Sequence, residues 1–288
     1  MAAGDAPPPT AAETTAGSPP PGNPKRERGH RNPPLAESDN ERARGLVHLD
    51  EKFVVDPAEM TPKAASYFRH RRYLTPEAAR RWRMGYLPRD TGGDHAGGTM
   101  RGRIVYPLVS ESGELLTWFG RDPEFETRHD EWERGGKQGR EPDKYHFVKG
   151  FQRGLELFGQ HRVVDENFRR QTAETGLLIV PGANDVIALE ALGAPAVGLC
   201  GREITTEQAE KAAALVRACG ARGAVLMLDC TEAGDRAATA ALPMLAAHTL
   251  VRLAWSREMH GGAFQGGAVD GLKKVEWERI VAVLKNAT

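Results

Sequence analysis

Four short apolar runs, at residues 177–180, 196–200, 224–228 and 249–255, alternate with helical stretches along the C-terminal part of the chain. The first helical stretch, 186–192, is stopped by Gly193. The second begins at Thr205, where Thr205-x-x-Gln208 is a capping box; Ala209, Ala212, Leu215, Val216 and Cys219 then trace one face up to Gly220. The third covers 235–247. Continuous apolar runs separated by helices predict βαβ units around a parallel sheet buried on both faces. Ligands of such sheets sit beyond the carboxyl ends of the strands. Asp185 and Asp229 each fall just past such an end, and they are the first candidate site residues.

The N-terminal part has a different grain. Thr61-Pro62 and Thr75-Pro76 each place a hydroxyl before a proline, the signature of an N-cap followed by the first helical residue. Residues 103–109 and 115–119 read as an antiparallel hairpin about 110–114. Residues 92–98 and the charged, Gly-containing 122–143 read as loops, and 144–159 resumes structure. Residues 1–44 are rich in Pro, Gly, Ala and charge and include a Lys25-Arg26-Glu27-Arg28 cluster; they bury too little to offset ordering entropy and are expected to be a disordered tail. The expected division is therefore a tail at 1–44, an α+β unit at 45–170 and an α/β unit at 171–288. The last unit closes with a Gly-rich loop at 260–271 and an amphipathic helix from about 275 that carries Trp277, Ile280, Val281 and Leu284.

Composition changes this picture only through charge distribution. The 288 residues are 40% hydrophobic with a formal net charge of zero. Yet residues 61–103 hold ten Lys/Arg against three Asp/Glu, whereas 172–240 hold five against nine. The first excess suits an anionic partner and the second a cation or solvent. Arginines 69, 71, 72, 80, 81 and 83, interleaved with aromatics, suit a nucleic-acid groove. The three cysteines form no Cys-x-x-Cys pair, so no zinc is expected. No apolar run is long enough to span a membrane, and the N-terminus lacks a secretory pattern; a cytoplasmic location is expected.

The residues around the two aspartates resemble a known family. Val180-Pro181-Gly182-Ala183-Asn184-Asp185 and, further on, Leu228-Asp229-Cys230-Thr231-Glu232-Ala233-Gly234 are similar to the Toprim signature, strand–Glu-Gly-x-x-Asp–helix followed by strand–Asp-x-Asp-x-x-Gly–helix. Toprim is shared by DnaG-type bacterial primases, type IA and II topoisomerases, and RecR- and OLD-type proteins. Upstream, Arg101-Gly102-Arg103-Ile104-Val105-Tyr106-Pro107-Leu108 and Phe119-Gly120-Arg121 resemble the hairpin of DnaG-type primase cores. Lys144-Tyr145-His146-Phe147-Val148-Lys149-Gly150 with Leu157-Phe158-Gly159 resembles the segment preceding their Toprim domain, and residues 75–88 their helix ending in Gly-Tyr-x-Pro. The resemblance covers about residues 61–255 and implies a Toprim α/β domain preceded by a smaller α+β primase-like subdomain.

What it implies for the site is a divalent ion, Mg2+ or Mn2+, on Asp229, Asp185 and Glu232, with Asp185 and Asp229 as the catalytic aspartates that hold it against phosphate oxygens. It implies a groove for single-stranded DNA along Arg101, Arg103, Arg121, Lys144 and Lys149, nucleotides as substrates, and a helicase or other replication protein as a candidate partner. Two positions depart from the pattern: Pro181 stands where the family has its catalytic Glu, and Thr231 where it has the second Asp. Proline can neither bind a metal nor accept a proton, and threonine is a poor ligand for a hard cation. On the residues alone, Asp185 also reads as a helix N-cap and Glu232 as favourable charge at a helix start. Two functions stay open, a primase-like nucleotidyltransferase with an incomplete catalytic set and a catalytically inactive nucleic-acid-binding module. A topoisomerase needs a strand-attacking tyrosine, and the five tyrosines lie outside any such context.

Overall fold

The computed structural model describes residues 31–35, 45–91, 98–201 and 203–286. Most of the expected tail, including the 25–28 cluster, and the expected loop at 92–97 lie outside the described residues.

The N-terminal part is built on a four-stranded antiparallel sheet, sheet A. Its strands are β1 (Gly85–Leu87), β2 (Arg103–Val109), β3 (Leu115–Arg121) and β4 (Tyr145–Phe147), in that spatial order. Two helices precede it, α1 (Pro62–Arg69) and α2 (Pro76–Arg81). The Thr75 hydroxyl accepts the Ala78 N–H at 3.1 Å and so caps α2. Thr61 makes no such side-chain bond, and α1 starts on its proline alone. Between β3 and β4 the chain carries α3 (Phe125–Arg134), where a loop is expected from the sequence. The high charge of this stretch hides Phe125, His129 and Trp132, which share one helical stripe.

The C-terminal part is a five-stranded sheet, sheet B, in the order β5 (Leu157–Phe158), β7 (Ala196–Leu199), β6 (Leu177–Val180), β8 (Ala224–Leu226), β9 (Val251–Leu253). The four apolar runs supply the parallel strands, and β5 is antiparallel at one edge. That edge strand precedes residue 171, so sheet B begins upstream of the division expected from the sequence. Its helices are α4 (Gln160–Val163), α5 (Glu166–Thr175), α6 (Ala183–Ala191), α7 (Thr206–Cys219), α8 (Glu232–Ala246) and α9 (Lys274–Asn286). The Thr205–Gln208 box closes both ways at 3.1 Å. Helix α5 has a largely polar sequence without an apolar period, which is why patterning does not reveal it. No described helix is long and apolar enough to cross a membrane.

The main core lies between the two sheets. It joins α1, α2 and one face of sheet A to one face of sheet B, α6 and α9. Phe158 on β5 stacks on Trp82 at 5.1 Å and meets Tyr106 and Phe119 edge-on at 6.3 and 5.8 Å, an arrangement favoured by aromatic quadrupoles. A second core under α7 and α8 covers the other face of sheet B, and a third covers the outer face of sheet A. Charged pairs also cross the junction. Glu190 of α6, 5% exposed, accepts from Arg81 at 3.1 Å and from Arg162 at 2.5 and 2.9 Å.

Residues 31–35 depart from the expected tail, because they dock on this core. The Asn32 amide donates to the Gln152 carbonyl at 3.0 Å and accepts the Gln152 N–H at 3.2 Å. It also donates at 3.0 Å to Glu156, which is 3% exposed and further held by Gln160 at 2.8 Å and Lys211 at 2.7 Å. A buried carboxylate needs such partners. Asn32→Ala is therefore expected to lower the unfolding free energy by about 1–3 kcal/mol in a urea titration; no change would show that residues 31–35 are not attached to the core.

Candidate nucleic-acid interface and acidic site

Strand β6 ends at Val180, and Pro181 and Gly182 turn the chain into α6. The turn lies hard against β7: a Cβ on Gly198 would stand 2.9 Å from the Gly182 carbonyl oxygen, so only glycine fits there. Asp185, 9% exposed, occupies the third helical position, and its Oδ2 accepts the Gly182 N–H at 2.9 Å. It thus stabilises the start of α6 by reaching back from inside the helix and is not the N-cap residue. Beside it Asn184 donates to the Tyr67 hydroxyl at 2.7 Å and accepts from the Tyr106 hydroxyl at 2.9 Å, with the two hydroxyls 3.2 Å apart.

After β8 the chain runs through Asp229 into α8. The Thr231 hydroxyl accepts the Gly234 N–H at 3.1 Å as the N-cap of that helix. Gly234 must be glycine, since a Cβ there would overlap the Asp229 carbonyl oxygen. The Gly-rich loop at 260–271 folds back over this turn: Cys230 N–H donates to Gly267 and Gly266 N–H to Cys230, both at 2.8 Å, and Val269 N–H points at Asp229 Oδ1 at 3.4 Å. The loop brings in a carboxylate that sequence reading missed. Asp270 accepts from the Tyr73 hydroxyl at 2.8 Å, with Arg71 at 3.9 Å. An acid in a loop without periodicity leaves no pattern; only the fold shows where it goes.

These carboxylates sense one another. Burial, then Asp270 and Asp229, push Asp185 up to about 8, against the Gly182 amide and Lys144. Burial likewise raises Asp229, Asp270 adding to it while the Val269 amide and Lys144 oppose it. Lys144 comes from sheet A. Although it is exposed overall, neighbouring atoms desolvate its ammonium and Arg121 repels it, which holds it below the usual lysine range despite Glu126, Asp185 and Asp229. The basic end of sheet A therefore faces the acidic strand ends of sheet B.

The strand register gathers the basic end: Ile104 opposes Arg121, Arg121 opposes Tyr145, and Leu87 opposes Arg103. Of the expected groove residues, Lys144 and Lys149 are exposed, Arg101 and Arg103 are half-buried, and Arg121 is 1% exposed. Arg121 sits among the rings of Phe125, Tyr145 and Tyr67, with its guanidinium carbon 5.1, 5.5 and 5.7 Å from their centroids. It bonds to the Asp122 carbonyl at 2.9 Å and to the Glu126 carboxylate. Among the six arginines at 69–83, three have intramolecular work: Arg71 on Tyr67 and Asp270, Arg81 on Glu190, and Arg83 on Asp50 at 2.7 Å. Part of the arginine density read from the sequence as a groove is thus a set of ties within the fold.

The expected Mg2+ or Mn2+ finds a thin donor set. Among the described residues no three His, Cys, Asp or Glu side chains gather to hold a metal ion. Pro181 offers no ligand, the Thr231 hydroxyl is engaged by Gly234, and Asp270 is held by Tyr73. Glu232, expected as a third ligand, is exposed on the first turn of α8 and paired with Arg236. These residues do not fit a dedicated divalent-metal site.

No family model matches the chain, and no curated protein matches it. Solved structures do. The Aquifex aeolicus primase, with its zinc-binding and RNA polymerase domains, aligns with a TM-score of 0.60 at 19% identity, covering 84% of this chain. The chain spans 60% of that longer relative. The E. coli primase catalytic core aligns with a TM-score of 0.57 at 18% identity, over 83% of this chain and 79% of the other. A DnaG primase catalytic domain bound to single-stranded DNA aligns at 0.55 and 18%, over 84% and 82%. The chain has the fold of the DnaG-type primase catalytic core.

The raised pKa of Asp185 has a consequence for stability. The folded protein keeps a proton on this group that the unfolded chain releases near the ordinary aspartate value, so stability contributed by Asp185 falls as pH rises from about 4 to about 8. The slope approaches at most ~1.4 kcal/mol per pH unit. Asp185→Asn, which keeps an acceptor for the Gly182 N–H, is expected to flatten this dependence in urea titrations at pH 5, 6, 7 and 8. Parallel profiles for the two proteins would contradict the assignment.

Proposed function

We propose that this chain is a primase-fold protein that binds single-stranded DNA and whose own groups for nucleotidyl transfer are incomplete. The observation that carries the reading is the meeting at Lys144 of the basic end of sheet A and the carboxylates of sheet B. Phosphate-binding cations beside acidic strand ends suit a nucleic-acid backbone drawn past them. Incompleteness rests on geometry: no acid at Pro181, and a Thr231 hydroxyl already used as a helix cap. General acid–base assistance is worth about 10²–10⁴ in rate, so its loss leaves little unaided primer synthesis. The alternative is an active primer-making enzyme that takes nucleotides and works with a helicase or other replication protein; Asp270, a carboxylate close enough to act on both aspartates, favours it.

Fluorescence anisotropy with a labelled oligo-dT tests the binding. Affinity is expected to fall with salt at a slope of about 0.7 per phosphate contacted, and Lys144→Glu to weaken it about tenfold or more. No binding at low salt would sink the reading. Nucleotide incorporation on a single-stranded template with manganese tests the second part. The unmodified chain is expected to be inactive or very slow, and Pro181→Glu combined with Thr231→Asp to gain activity. Equal rates would show that these two positions do not limit the site.

A further inference from the structure

The excursion between β3 and β4 is acidic. Residues 122–143 hold eight Asp or Glu against four Lys or Arg, yet they adjoin the most basic end of sheet A. Their acids are placed on that end's cations. Glu126 takes the Arg121 guanidinium, Asp122 supplies its backbone carbonyl to the same group, and the Phe125 ring covers it. Lys144 also approaches the Phe125 ring, its Nζ 5.9 Å from the centroid, with Glu126 among its stabilising charges. Asp122 and Asp143 do the same for Arg103. A further pair, Arg128 to Asp122 at 2.9 Å, ties α3 to the strand end.

We infer that residues 122–143 form an acidic flap over the basic end of sheet A, its carboxylates standing where the phosphates of single-stranded nucleic acid would otherwise sit. The inference rests on the nucleic-acid reading above and adds regulation to it: the strand must displace the flap to reach Arg121 and its neighbours. The flap is built to be displaced. No residue of α3 is buried, so lifting it exposes little apolar surface. Glu126 is 59% exposed, so the carboxylate of its pair with the buried Arg121 can swing out into solvent. The outer part of the stripe is directed to the returning loop, with Trp132 Nε1 3.4 Å from the Gly139 carbonyl and His129 3.7 Å from Glu141, so α3 and that loop hold together.

The test compares Glu126→Gln with Glu133→Gln in the full chain, using anisotropy of a labelled oligo-dT across a salt series. Both changes remove one negative charge from α3, but Glu133 faces Lys137 at 3.5 Å and not the groove cations. Glu126→Gln, which leaves the Arg121 charge without its carboxylate, is expected to tighten binding roughly fivefold or more. It is also expected to steepen the salt slope by about 0.7, because one more cation reaches a phosphate. Glu133→Gln is expected to match the unmodified chain. If Glu126→Gln changes neither affinity nor slope while the unmodified chain binds, or if both substitutions act alike, the flap does not occlude the groove. If no protein in the series binds, the nucleic-acid reading itself falls, and this inference with it.

Discussion

Everything at the site depends on a polar contact buried between two sheets. Asn184 on α6, Tyr67 on α1 and Tyr106 on β2 close a hydrogen-bonded triangle inside the mainly apolar junction. A buried amide or hydroxyl without a partner costs more than a satisfied one contributes, so such a triangle tolerates one relative placement of the units and penalises others. Asn184 immediately precedes Asp185, so the same contact that sets the two sheets also sets the carboxylate. Glu190, two turns along α6, repeats the arrangement with charge, through Arg81 on one side and Arg162 on the other.

With the sheets so placed, their electrostatics follow. The carboxyl ends of the parallel strands carry Asp185 and Asp229, the Gly-rich loop adds Asp270, and sheet A answers with Lys144. Repulsion among the acids and attraction to the lysine describe a surface that discriminates between anions and cations over a few ångströms. Thr231 caps α8 and Pro181 opens the turn into α6, so neither position offers a carboxylate while the turns and their glycines stay in place. A shared fold does not by itself carry a shared chemistry, which rests on the side chains at these turns.

The parts legible in the sequence are those with a period or a local chemical rule. The four parallel strands, the 103–121 hairpin and the Thr205–Gln208 cap follow from apolar runs, turn residues and capping chemistry. Asp185 and Asp229 could be placed at strand ends for the same reason. Polar helices hide from such reading: α3 and α5 have too little apolar contrast to register. Asp270 could not be read either, because its position depends on a loop folding back through backbone bonds from Gly266 and Gly267 to Cys230. Arginines at 71, 81 and 83 were legible as charge, but whether a guanidinium serves a partner or its own fold is decided by tertiary neighbours such as Glu190 and Asp50.

Metal binding separates the proposed incomplete site from an active one. Titration of the unmodified chain with manganese, followed by the electron paramagnetic resonance signal of the free ion, tests it most directly. With Asp185 and Asp229 at the strand ends and Asp270 tied to Tyr73, the proposed reading predicts no saturable site tighter than about 1 mM, since affinity for hard cations rises with the charge and number of oxygen ligands. Stoichiometric loss of the free-ion signal at micromolar manganese would contradict it.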